Sequence, residues 1–114
     1  MTWQEVFVSA VRSSGDLAGV FEYDGQTGYF YLYRVEAAVG GKIADALHIL
    51  SGDIDFARAD LSVRWNVAET KVALFIRGTM WGVFDCNSGQ KFCGDYRVGR
   101  APDLPSNFEF AELS

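Results

Sequence analysis

The stretch WNVAETKVALFIRGTMWGVFDCNSG, residues 65–89, decides the fold. Trp65 closes one strand, a polar turn follows, and two apolar runs are separated by Arg77-Gly78 before Asn87–Gln90 turns the chain again. Such punctuation is also that of a β-propeller blade. A propeller, however, repeats its four-stranded blade at a fixed period at least about four times. Residues 65–89 have no second copy in the 114-residue chain, so they read as part of an antiparallel meander.

Upstream of the turn, Leu61, Val63, Trp65 and Val67 alternate with Ser62, Arg64 and Asn66, the pattern of a strand with one wet face. Lys71–Ile76 is apolar at both parities, as a central strand is. Met80–Asp85 and Lys91–Cys93 continue the meander, and Pro102 and Pro105 predict an irregular last segment wrapping the sheet. In the first half, Val6–Arg12 and Leu17–Tyr23 are strands around the turn formers Ser13–Asp16. Tyr29–Glu36 follows across an Asp-Gly-bearing loop, a hairpin signal. A loop at Gly25–Thr27 would set Tyr23 opposite Tyr29 and Phe21 opposite Tyr31, giving one aromatic face of Phe21, Tyr23, Tyr29, Tyr31 and Tyr33. Ala37–Gly41 reads as a small-residue turn. Lys42–Leu50 fits either a helix through Ile43, Leu47 and Leu50 or a strand through Ile43, Asp45, Leu47 and Ile49; the strand is preferred.

Composition agrees. Aromatic residues reach 15% and glycines number 12 against 2 prolines, which suits strands joined by tight turns. The length predicts a single β-rich domain over residues 1–114 that folds without staples. The expected fold is mainly β, with α+β as the alternative: a curved antiparallel sheet, partly closed barrel or β-sandwich of about seven or eight strands with at most one short helix.

The net charge of −5 argues against nucleic acid as a partner, because that binding neutralises phosphates. No apolar run reaches eighteen residues, so no membrane span is expected. The opening MTWQEVFVSAVRSS lacks a basic segment followed by an apolar one, which predicts a cytoplasmic protein whose Cys86 and Cys93 stay reduced. Charge is uneven: residues 1–55 are acidic on balance and 56–100 basic, a distribution that reads first as solvated faces and loops and second as complementarity within the fold or across a self-association interface.

Candidate sites follow from residue type. His48 is the sole histidine and has no partner at metal-ligand spacing, so neither metal nor cofactor is expected. Asp53, Asp55 and Asp60 lack the glycine and terminal glutamate of an EF-hand. No set of acid, base and nucleophile converges, so no catalytic residue is assigned; an enzyme using His48 with Asp45 or a thiol ranks last. Arg97 and Arg100, beside Lys91 and Tyr96, form a small basic patch able to take an anion. Tyr31, Tyr33, Trp65, Phe75 and Trp81, with Phe21, are candidates for lining a small-ligand pocket. The tyrosine-rich face reads first as a half-buried core face, then as a self-association surface, then as a stacking platform for a small organic ligand.

Over residues 63–93, VRWN, KVALFI, GVFD and KFC resemble a small bacterial family known only as a domain of unknown function, with ADALHIL before them fitting more loosely. Size and style are also similar to proteins encoded on integron gene cassettes. The resemblance implies an uncharacterised bacterial, cytosolic protein and transfers no catalytic residue. The expected function is a non-enzymatic binding or interaction module acting as a homodimer through the aromatic face or an edge strand. A small organic ligand or a protein partner is the alternative.

Overall fold

In a computed structural model, residues 5–36 and 42–110 are described. The chain runs β1 (Val6–Val11), β2 (Leu17–Tyr23), β3 (Thr27–Arg34), β4 (Ile43–Ser51), a 3-10 turn (Arg58–Asp60), β5 (Leu61–Trp65), β6 (Lys71–Ile76), β7 (Thr79–Asp85) and β8 (Lys91–Cys93). The fold is mainly β, and the ambiguous 42–50 segment is the strand β4. The Ala37–Gly41 turn lies outside the described residues.

Of the expected architectures the β-sandwich is the one found, and the single sheet is corrected. Two antiparallel meanders, β1-β2-β3-β4 and β5-β6-β7-β8, pack face to face as a sandwich rather than a barrel. The helical content is one three-residue 3-10 turn, and no α-helix occurs among the described residues. Apolar residues at every second position make the split possible, because each sheet has an inward row to bury. Phe21, Phe30, Ile49 and Leu50 from the first sheet meet Val72, Leu74, Ile76 and Phe84 from the second. A bulge in β7 opposite Leu74/Phe75 turns both Trp81 and Gly82 inward.

The β2–β3 register also differs from the expected one. Asp24 Oδ1 accepts the backbone N–H groups of Gln26 (2.9 Å) and Thr27 (2.8 Å), which tightens the turn. Phe21 therefore pairs with Phe30 and Tyr23 with Gly28. This one-residue slip sends alternate residues to opposite sides. Phe21 and Tyr23 enter the core, while Tyr29, Tyr31 and Tyr33 stay on the outer face.

The alternation expected through Val67 stops at Trp65. Asn66 is 4% exposed, and its Oδ1 accepts the N–H groups of Thr70 (2.9 Å) and Lys71 (3.0 Å) to hold the β5–β6 turn. Val67 is left exposed at that turn.

Cross-sheet bonds close both sides of the sandwich. Along β1, Ala10 O accepts from Trp65 Nε1 (2.9 Å) and Phe7 O from Arg58 (3.2 Å). Along β4, His48 O accepts from Cys93 Sγ (2.9 Å) and Ile49 O from the Tyr96 N–H (3.1 Å), beside an Asp45–Lys91 ion pair at 2.6 Å. These contacts occupy carbonyls that an edge strand would otherwise offer to another chain.

Candidate functional site

The outer faces of the two sheets are treated differently. On the second sheet, the last described segment crosses Ala73, Phe75, Val83 and Phe92, laying Phe110 on Phe75 and Phe108 on Phe92, each pair with centroids 5.6 Å apart. The expected irregular wrap is thus a strap with two aromatic anchors. On the first sheet, nothing among the described residues crosses the outer face.

That bare face is a groove because β2 carries small residues between larger neighbours. Ala18 and Val20 form its floor, with Glu22 at one end. Phe7 and Val11 of β1 make one wall, and Tyr31 and Tyr33 of β3 the other. The groove encloses about 430 Å³. Phe7, Val11 and Ile43 are 55%, 54% and 52% exposed, so the apolar surface extends to the rim. Tyr29 stacks on Tyr31 at 5.8 Å, prolonging the face along β3 toward the Glu22 end. Burial, then the negative charge of Glu22, holds the Tyr31 hydroxyl above its usual pKa, so it stays a neutral donor.

Charge is placed at the two ends. Glu22, with Glu5 nearby, marks one end. At the other, the Lys42 ammonium lies 5.8 Å from the Tyr33 ring and donates to Val35 O at 3.2 Å. Neither Glu22 nor Lys42 has an ion-pair partner among the described residues.

The predicted ligand residues are not brought together. Tyr31 and Tyr33 line the groove, Trp65 seals the β1–β5 side, and Phe75 lies under the strap. Trp81 is in the core against Tyr96, its Nε1 buried without a hydrogen-bond partner. Arg97 donates to Asp53 O (3.0 Å), and Arg100 pairs through its backbone with Asp95.

His48 sits on the outer face against Tyr29 (5.4 Å) with Nε2 2.8 Å from Ser51 Oγ. Asp45 is paired with Lys91 instead, and Cys93 contacts the His48 carbonyl rather than the ring. Cys86 and Cys93 are free. Asp85 bonds to Gln90 across a four-residue loop, so the cysteines are not opposite each other, and burial raises the pKa of both. Among the described residues no three His, Cys, Asp or Glu side chains are grouped to hold a metal ion. No helix among them is long and apolar enough to cross a membrane.

The groove's β1 wall and β2 floor were missed in the sequence reading. The signal was available: β1 is apolar at both parities, with Val6, Val8 and Ala10 against Phe7 and Val11, so both its faces need covering.

No curated protein and no solved structure matches the chain. Residues 2–103 match a family described as uncharacterised proteins conserved in bacteria, a span that includes all eight strands and the whole groove but ends before Phe108 and Phe110. By that match, the chain belongs to the bacterial family DUF2251.

Proposed function

We propose that this domain is a non-enzymatic interaction module of the bacterial cytoplasm that works as a homodimer, with two copies covering each other's groove-bearing face. One observation carries the reading: both sheets carry large apolar side chains on their outer faces, and the described residues cross only the second. An exposed apolar face of this breadth marks an interaction site. The edges are the weaker choice, because Trp65, Arg58, Cys93 and the Tyr96 backbone already bond to β1 and β4. The exposed rim of Phe7, Val11 and Ile43 favours an occupant as wide as the sheet, since a small ligand on the floor would leave that rim wet.

Native mass spectrometry tests this. The wild-type chain is expected as a bare dimer, and Tyr31→Ser with Tyr33→Ser gives a folded monomer. A dimer unchanged by the double substitution would count against this face. The second reading, a small organic ligand, is favoured by the groove's volume, which falls in the ~300–1,000 Å³ range of ligand sites. A monomer carrying an adduct in the same spectrum would establish it.

A further inference from the structure

The charges flanking the groove are self-complementary in one orientation only. Glu22 sits opposite Tyr29, and Lys42 pairs through its carbonyl with the Arg34 N–H, five residues further along β3. At about 3.3 Å per residue the two charges are roughly 17 Å apart along the strands. That exceeds the Debye length of about 8 Å at physiological salt, so each acts on what faces it rather than on the other. If two copies met about an axis parallel to the strands, Glu22 would approach Glu22 and Lys42 would approach Lys42. An axis across the strands reverses the rows and sets each acidic end on a basic end. Lys42 leads into β4, about 9.6 Å or two strand spacings from β2, but its ammonium already reaches back over the Tyr33 ring on β3, leaving a sideways offset of about one spacing.

Building on the self-association reading, we propose that the dimer is formed about a two-fold axis running across the strands, with Glu22 of each copy against Lys42 of the other. Each dimer then holds two such pairs. They fix orientation, while the apolar groove supplies most of the affinity. Lys42 suits the role because its ammonium is already held over Tyr33 by the Val35 carbonyl at the groove's end, which spares part of the ordering cost on association.

The test is a charge swap read by sedimentation and native mass. Glu22→Lys alone and Lys42→Glu alone each create two like-charge contacts and are expected to raise the dimer dissociation constant by about tenfold or more. Mixing the two variants, one of them ¹⁵N-labelled, restores opposite charges at both contacts and is expected to yield the mixed dimer in preference to either homodimer. Circular dichroism melts check that each variant stays folded. If Tyr31→Ser with Tyr33→Ser dissociates the dimer while both reversals leave it intact, self-association stands and this orientation falls. Reversals that dissociate but fail to recover on mixing also overturn the orientation. A monomeric wild-type chain removes both.

Discussion

Gly19 shows how closely the two sheets approach. A Cβ built on it would lie 2.5 Å from Val72 Cγ2 and 2.9 Å from Val63 Cγ1, both on the opposite sheet. Both valines are buried, and β-branched side chains have few rotamers into which to retreat. Gly19→Ala therefore overpacks the interface, with an expected loss of about 1–3 kcal/mol. Urea unfolding checks this: the midpoint should fall while the slope stays unchanged, and an unchanged midpoint would mean the sheets can separate at no cost. Gly15 makes a useful contrast, since nothing lies within 4 Å of its Cβ position and only its φ of +79° resists substitution. In the sequence the two glycines look alike.

The strap over the second sheet is the element whose removal should have the widest effect. Phe110 is buried against Phe75, with Phe108 on Phe92 and the Lys71 ammonium 5.8 Å from the Phe108 ring. Phe110→Ala is expected to cost about 3 kcal/mol, the lower end for a buried aromatic, because solvent can enter beside an irregular segment. It should also raise binding of a hydrophobic dye, whereas Leu104→Ala on the same segment, at an exposed position, should change neither. Equal effects from both would mean that the strap has no fixed anchor. The segment's irregularity was legible from Pro102 and Pro105, but its anchoring was not, because Phe-Glu-Phe alternates like any short strand. The strands themselves were legible, since periodicity and turn residues act locally. The division into two sheets was legible only as one option beside a single sheet and a barrel, because the choice depends on which inward rows face each other across the core. The β2–β3 register was missed for a local reason: the Asp24 carboxylate competes for two N–H groups and shortens the loop by one residue. For the candidate site, Tyr31 and Tyr33 were legible as part of an aromatic face, whereas the floor of Ala18 and Val20 has no signature apart from its neighbours.

Across the whole molecule, titratable groups fasten the turns and seams, and their shifts set a pH window for stability. Arg12 and Ser14 hold the Asp16 carboxyl well below its ordinary pKa; backbone N–H groups of Thr27 and Gln26 lower Asp24. Ser13 lowers Glu69 and Tyr96 lowers Asp55. For Asp45, burial pushes upward but is outweighed by Lys91 and the Ala46 N–H, leaving it lowered. A lowered folded pKa means the folded chain binds fewer protons than the unfolded one, so this stability is present above the unfolded carboxylate values of about 4 and is lost as pH falls through the folded values. The thiols and tyrosines run the other way. Burial raises Cys86, Cys93, Tyr23, Tyr31 and Tyr96, so their contribution is present below about 8.5 for the thiols and about 10 for the phenols, and is lost as pH rises past those values. The thermal midpoint should therefore be level between about pH 5 and 8 and fall on both sides. Most of the carboxylates are solvent-exposed, so added salt should make the acid limb shallower, whereas the alkaline limb, set by burial, should respond less. Calorimetry from pH 3 to 11 at two salt concentrations checks both. A midpoint that keeps rising below pH 4 would mean the carboxylates repel one another in the fold more than their partners hold them.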